Sequence, residues 1–140
     1  MKHYLVVANR TLSSDQLLAE VRRRMDEDPC DFYVVVPASH PVATWTWEEA
    51  QDRAAARHRL ALALIDLRLE GARVDGEVSD VRPRVAIADV LRVRPIDHVI
   101  LATRPAGESR WLKHDLPAWV HDTFMLPVTH VVAERRAMAV

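Results

Sequence analysis

The stretch LATRPAGESRW, residues 101–111, combines residue types that bind anions. An apolar run ends in this stretch, and two arginines, a glycine and a serine follow it. Guanidinium groups bind phosphate or carboxylate in a bidentate manner, and a serine that starts a helix leaves backbone N–H groups available to an anion. The stretch therefore predicts either an anion site or an ordinary turn, in which Ser109 only caps a helix and the arginines are solvated. Its polar residues are Thr103, Arg104, Ser109 and Arg110, with Gly107 at the turn.

Strand and helix patterns alternate along the whole chain and must position these residues. The predicted strands are 4–8, 32–36, 73–79, 98–102 and 127–132, of which the third is more polar and suits a sheet edge. The alternation predicts an α/β domain with a doubly wound, five-stranded, mainly parallel sheet and helices on both faces. We expect this domain to span residues 1–133 and a short C-terminal tail to span residues 134–140.

Two helix patterns carry more detailed expectations. Ser13, with Gln16 three residues later, predicts a capping box at the start of the first helix. A long second helix is expected between Thr46 and Gly71. Apolar residues recur in it at helical spacing and predict its inner face. They are Ala50, Ala54, Ala61, Leu62, Ile65 and Leu69.

A ligand site in such a sheet is expected where the strand order reverses. With strand order 3-2-1-4-5, that point lies between the carboxyl ends of the first and fourth strands. Hydrogen-bonding and cationic side chains gather there rather than carboxylates. Trp45 or Trp111 offers a flat face to a base; alternatively these rings close the end of the core. The candidate ligand-binding residues are Asn9, Arg10, Thr11, His40, Thr103, Arg104, Gly107, Ser109, Arg110 and Trp111.

The seven histidines and the single cysteine do not form a metal or catalytic set. Pro117 interrupts the helix that would bring His114 and His121 together, and no third ligand has suitable spacing. Cys30 precedes a strand without an evident activating base, and no Gly-x-Ser-x-Gly elbow is present. We therefore expect no metal ion and no enzymatic activity.

Composition limits the partners and the compartment. Apolar residues make up 49% of the 140 residues, and the formal net charge is −1, so no overall field attracts nucleic acid or a membrane surface. One cysteine gives no disulfide, and no signal peptide or membrane-spanning run is evident. These features predict a soluble cytoplasmic protein. With only three glycines, the chain cannot build a glycine-rich phosphate loop.

Several segments resemble the universal stress protein family. With the first strand, the likeness covers nearly the whole chain, and it implies a Rossmann-like sheet of strand order 3-2-1-4-5. It also implies ATP or AMP as the cofactor to consider. The segments are WTWEEA (45–50), GEVSDVRPRVAIADVL (76–91), DHVILATRP (97–105), SRWLKHDLP (109–117) and LPVTHVV (126–132).

The chain departs from the family's nucleotide motif. Nucleotide-binding members carry Gly-x-x-Gly, nine residues, then Gly-Ser or Gly-Thr after the fourth strand. The resemblance places Arg104 at the first glycine, Gly107 at the second, and Pro117 and Ala118 at the later pair. The family's acidic residue after the first strand is replaced near Asn9. The sequence therefore predicts no cofactor bound in the family's usual manner.

The last predicted strand forms an apolar sheet edge with no charge before Glu134. Such edges are usually paired or covered. Many universal stress proteins dimerise through this strand, so the resemblance implies a homodimer; alternatively the tail, residues 133–140, covers the edge. The sequence thus predicts a non-enzymatic, homodimeric binding or regulatory domain. The alternative is a protein that binds an adenine nucleotide or another small anion with the loop after the fourth strand. The expected dimer edge is Val128, Thr129, His130, Val131 and Val132.

Overall fold

A computed structural model describes residues 1–38, 47–79, 81–105, 111 and 115–133, with the backbone alone for residues 47–52. Strands and helices alternate within these residues, as the sequence predicts. Their bounds are β1 (Lys2–Val7), α1 (Asp15–Glu27), β2 (Cys30–Pro37), α2 (Trp47–Leu69), β3 (Val74–Ser79), α3 (Pro83–Val93), β4 (His98–Thr103), α4 (Leu116–Phe124) and β5 (Val128–Val132).

The five strands form one sheet in the order β3-β2-β1-β4-β5, and every pair of neighbours is parallel. Both the α/β class and the predicted strand order are confirmed. β4 is buried along its whole length, as is the second half of β1. These strands are continuous apolar runs because helices cover both of their faces.

The helices divide evenly between the two faces of the sheet. α1 and α2 pack on one face, where Leu17 and Val21 meet alternate strand residues such as Val6 and Ile100. α3 and α4 pack on the other face, where Ile87 and Val120 belong to the same cluster as Leu5, Val7 and Leu101. Among the helices described, none is both long enough and apolar enough to cross a bilayer.

The predicted start of α1 is wrong by one residue. Ser14, not Ser13, is the N-cap, and its Oγ accepts a hydrogen bond of 3.2 Å from the backbone N–H of Leu17. Either of two adjacent serines fits the sequence pattern, and only the backbone path decides between them.

The predicted inner face of α2 is also wrong. Ala56, Leu60, Ala63 and Leu67 are buried, whereas Ala54, Ala61, Leu62, Ile65 and Leu69 are exposed. The side chain of Ala50 lies outside the described residues. The helix is apolar on two opposite sides, so periodicity alone gives two candidate faces, and the sheet contacts the face opposite to the predicted one.

Candidate functional site

Asn9 joins three elements at the carboxyl end of the sheet. It is separated from the end of β1 by Ala8 alone. Its Nδ2 donates a hydrogen bond of 3.1 Å to the backbone oxygen of Pro37, at the end of β2. Its Oδ1 accepts a hydrogen bond from Nη1 of Arg59, which α2 supplies. Both polar atoms of the amide are therefore engaged inside the protein.

The two threonines of the candidate site are also engaged internally. Thr11 is buried, and its Oγ1 donates to the backbone oxygen of Ala102 at 3.1 Å. Thr103 is 2% exposed, and its Oγ1 lies 2.6 Å from Nε2 of His130. These side chains fix the ends of β1 and β4 relative to their neighbours, rather than facing solvent.

The arginines differ from the other candidates because they are accessible. Arg10 and Arg104 are exposed, and they follow β1 and β4, which are neighbours in the sheet. Arg59 adds a third guanidinium group at the same end through its contact with Asn9. The described residues that directly follow β1, β2, β4 and β5 include no carboxylate, whereas Asp80, which follows β3 in the sequence, lies outside the described residues.

Of the remaining candidate residues, Trp111 is among the residues that the structure describes, and the others are not. Trp111 is half-buried and packs against the core cluster that also contains Leu5, Leu116 and Val120. This contact agrees with the alternative in which the ring closes the end of the core. His40, Gly107, Ser109, Arg110 and Trp45 lie outside the described residues.

Sequence reasoning missed Arg59. It lies in the middle of a helix, 50 positions from Asn9, and arginines are common on helix surfaces. No signal in the sequence pointed to it, because Leu60, which follows it, lies on the side of α2 that was not predicted to be buried.

The other candidate surface is β5, which lies at the sheet edge as predicted. Thr129 connects the inner face of β5 to α1 and β4. The Oγ1 of Thr129 accepts a hydrogen bond of 2.8 Å from Nη2 of Arg24 and lies 2.7 Å from Nε2 of His98. Arg24 is further fixed by Glu20, at 2.8 Å, and its guanidinium lies 5.5 Å from the ring centre of Tyr4. The edge strand is thus tied to α1 and β4 through polar side chains.

The backbone of β5 shows which groups remain available at the edge. Val99 donates to the backbone oxygen of Pro127, and Ala133 donates to that of Thr103. Since parallel strands alternate the direction of their backbone groups, residues 127, 129, 131 and 133 face β4. The N–H and C=O groups of Val128, His130 and Val132 therefore point away from the sheet.

Burial affects the pKa values of three titratable groups near β5, those of His98, His130 and Glu20. Burial, followed by the nearby positive charges of Arg24 and Lys2, lowers the pKa of His98. Burial also lowers the pKa of His130. Partial burial of Glu20 opposes its ionisation, but hydrogen bonds from Arg23 and Arg24 outweigh that effect and lower its pKa. Neutral imidazoles and an ionised Glu20 are the forms that fit this network.

No protein-family model and no curated protein sequence matches the chain. Solved structures do match it. A universal stress protein from Archaeoglobus fulgidus has 18% identity and a TM-score of 0.64, over 94% of this chain and 93% of that one. A universal stress protein family member from Burkholderia pseudomallei has 12% identity and a TM-score of 0.67, over 92% and 94%.

A third structure is a universal stress protein family protein from Arabidopsis thaliana with AMP bound, which has 14% identity and a TM-score of 0.59, over 99% of this chain and 96% of that one. These likenesses extend over nearly the whole chain. This chain therefore has the Rossmann-like fold of the universal stress proteins.

Proposed function

We propose that this chain is a non-enzymatic binding or regulatory domain that acts as a homodimer through β5 and does not bind ATP in the universal stress protein manner. The observation that carries the proposal is Asn9. Where nucleotide-binding members of the family place an acidic residue, this chain has a neutral amide whose Oδ1 and Nδ2 bond Arg59 and Pro37. The neutral amide lacks the negative charge of the acidic residue, and the guanidinium of Arg59 brings a positive charge beside it.

The hydroxyl–imidazole contacts support a non-enzymatic role. Among the described residues, these contacts are Thr103 with His130 and Thr129 with His98. The hydroxyl of Thr103 is buried, so a substrate does not reach it. The hydroxyl of Thr129 already accepts from Arg24, which draws electron density away from its oxygen. Both pairs lie within hydrogen-bonding distance, but a hydroxyl that is buried, or that already accepts from a guanidinium group, is a poor nucleophile.

The dimer is supported by the outward backbone groups of β5. Val128, His130 and Val132 present N–H and C=O groups that a second β5 can pair about a twofold axis. Val132→Pro removes one outward donor and leaves the bonds to β4 intact. At submicromolar protein concentration, we expect sedimentation velocity to show a dimer for the wild type and for Val132→Thr, and a monomer for Val132→Pro. A Val132→Pro variant that stays dimeric at that concentration would exclude β5 as the interface.

A second candidate function is the binding of a small anion, which is favoured by the three guanidinium groups of Arg10, Arg59 and Arg104 at one end of the sheet. Two similar solved structures point to nucleoside monophosphates: the Arabidopsis thaliana protein has AMP bound, and a universal stress protein from Archaeoglobus fulgidus is in complex with dAMP. An arginine site recognises phosphate groups without a glycine-rich loop.

Calorimetric titration with ATP and magnesium, and with AMP, separates the two candidates. The main proposal predicts no heat of binding at high protein concentration. Micromolar binding that Arg104→Ala weakens at least tenfold would instead establish the anion site. Arg92→Ala is the matched control, because Arg92 is an exposed arginine on α3 that pairs with Asp89. Binding that both variants weaken equally would indicate a general charge effect rather than a site.

A further inference from the structure

The outward side of α2 carries an apolar surface that no described residue covers. Leu62, Ile65 and Leu69 are 49%, 53% and 82% exposed, although the opposite side of the helix is buried against the sheet. A helix that is apolar on both sides is usually buried on both sides. We call this surface the α2 stripe; it comprises Ala54, Ala55, Ala61, Leu62, Ile65 and Leu69, all exposed.

Side-chain size changes along the α2 stripe in a regular way. Apart from His58, which lies between Ala54 and Leu62, the exposed residues before Leu62 on this side of the helix are alanines, and the apolar residues after it are larger. Consider two such helices that pack antiparallel with Leu62 opposite Leu62. A residue of one copy is then level with a residue of the other, meaning at the same height along the helix axes, when their two numbers add to 124. Leu69 of one copy is then level with Ala55 of the other, so a large side chain meets a small one at each end. In a parallel pair, Leu69 would instead be level with Leu69 and Ala55 with Ala55. Two large side chains would then meet at one end, and two small ones would leave a gap at the other.

We propose that the α2 stripe is a self-association surface, on which the α2 stripe of a second copy of this chain packs antiparallel about a twofold axis near Leu62. The contact is isologous, so each copy supplies both the large and the small end. It involves a different surface from β5, because α2 packs against β3, at the opposite edge of the sheet. The proposal is therefore independent of the β5 dimer.

One polar side chain within the α2 stripe and one charge beside it suit this arrangement. His58 lies on the same side of the helix as Ala54 and Leu62, and Asp66 of the second copy is level with it. A carboxylate therefore lies near an imidazole at each end. Among the described residues, the side chains of Asp66 and His58 have no other ion pair or hydrogen bond. On the other margin Arg57 lies near Arg68 of the second copy, and Asp75 offsets the charge of Arg68 at 2.9 Å.

The length of the α2 stripe sets the expected strength of the association between two copies. Residues 54–69 span about 24 Å of helix. A single pair of helix faces of this length buries less than the roughly 800 Å² per partner of a standard stable interface. We expect an association in the micromolar range, which depends on protein concentration.

Cysteine cross-linking tests the antiparallel geometry directly. In a Cys30→Ser background, Leu62→Cys places two thiols across the twofold axis, and mild oxidation is expected to give a disulfide-linked dimer. Leu69→Cys is the matched control: it is more exposed, but its two copies lie about 21 Å apart along the helix axis. The double variant Ala55→Cys, Leu69→Cys is expected to cross-link again. Equal cross-linking of Leu62→Cys and Leu69→Cys would show unspecific association and overturn the proposal.

Sedimentation equilibrium supplies a second readout that needs no cysteine. In a Val132→Pro background, in which the β5 contact is removed, the otherwise unaltered chain is expected to associate, and Ile65→Glu to shift the dissociation constant at least tenfold. Val93→Glu, at an apolar position on α3 that is 75% exposed, is expected to leave it unchanged. Circular dichroism confirms that each variant is folded. Absence of association at several hundred micromolar would refute self-pairing of the α2 stripe.

Discussion

Met125 adopts a backbone conformation that suits glycine better than methionine. It terminates α4 with φ 53° and ψ 34°, in the left-handed region, and its N–H donates to the backbone oxygen of His121. A residue with a Cβ loses roughly 1–2 kcal/mol in this conformation. The side chain is 76% exposed, so it recovers little of that cost through packing.

We expect Met125→Gly to raise the free energy of unfolding by about 0.5–1 kcal/mol, because relief of left-handed strain exceeds the greater flexibility of glycine in the unfolded chain. Urea denaturation measures the change. Val93→Gly, at a similarly exposed but helical position, is expected to lower stability instead. A loss of stability in Met125→Gly would show that the methionine side chain packs more usefully than its exposure indicates.

His98 gives the fold a dependence on pH. Because burial and neighbouring cations lower its pKa in the folded protein, the unfolded chain takes up the proton first, at about pH 6.5. Stability is therefore complete above that pH and decreases as the pH falls through it. His130 adds to the same slope, since burial lowers its pKa too.

We expect His98→Gln to have a smaller decrease in unfolding free energy between pH 7.5 and pH 5.5 than the wild type, measured by urea denaturation at each pH. Glutamine retains a hydrogen-bonding group for Thr129 but does not titrate. Thr129→Val serves as the comparison: it removes the hydroxyl and keeps the imidazole, so it should lower stability at every pH with the slope little changed. An unchanged slope in His98→Gln would assign the acid sensitivity elsewhere.

At the scale of elements, β2 and β3 approach each other too closely to admit a side chain at Gly76. Gly76 pairs with Val34, and a Cβ there would lie 2.7 Å from the backbone oxygen of Val34 and 3.0 Å from Cδ1 of Leu60. The strand oxygen is fixed by the sheet, so the contact cannot be relieved by a side-chain rotation alone.

Gly76→Ala is accordingly expected to lower the free energy of unfolding by about 1–3 kcal/mol, as for other overpacked positions. Asp75→Ala, one residue earlier, removes only an exposed pair with Arg68 and should change stability by less than about 1 kcal/mol. Thermal or urea unfolding compares the two. Equal effects would mean that β3 moves away from β2 at little cost.

The elements also show what the sequence could and could not predict. The order of the strands followed from buried apolar runs separated by helices, together with the family resemblance. The inner face of α2 did not follow, because Leu62 and Leu60 lie on different apolar sides of one helix and only the neighbouring sheet chooses between them. Arg59 was missed for a related reason: its contact with Asn9 depends on how α2 lies across the sheet.

At the scale of the whole molecule, the two proposed contacts lie at opposite edges of the sheet and act together. Each is isologous, so a chain that makes both assembles beyond a dimer. We expect the wild type to reach tetramers at high concentration, Val132→Pro and Ile65→Glu each to stop at dimers, and the double variant to be monomeric. Sedimentation equilibrium over a range of concentrations distinguishes these states. A double variant that still associates would require a third surface.

The two edges of the sheet are chemically unlike, and this has a consequence for fibril formation. β5 offers an apolar edge, whereas β3 carries the exposed carboxylates of Asp75 and Glu77. Stacking of β5 of one molecule onto β3 of the next would extend a sheet without end, and the two carboxylates oppose it. The apolar edge of β5 can therefore form a closed pair, while the carboxylates of β3 prevent open-ended stacking. This difference protects the protein from amyloid-like growth.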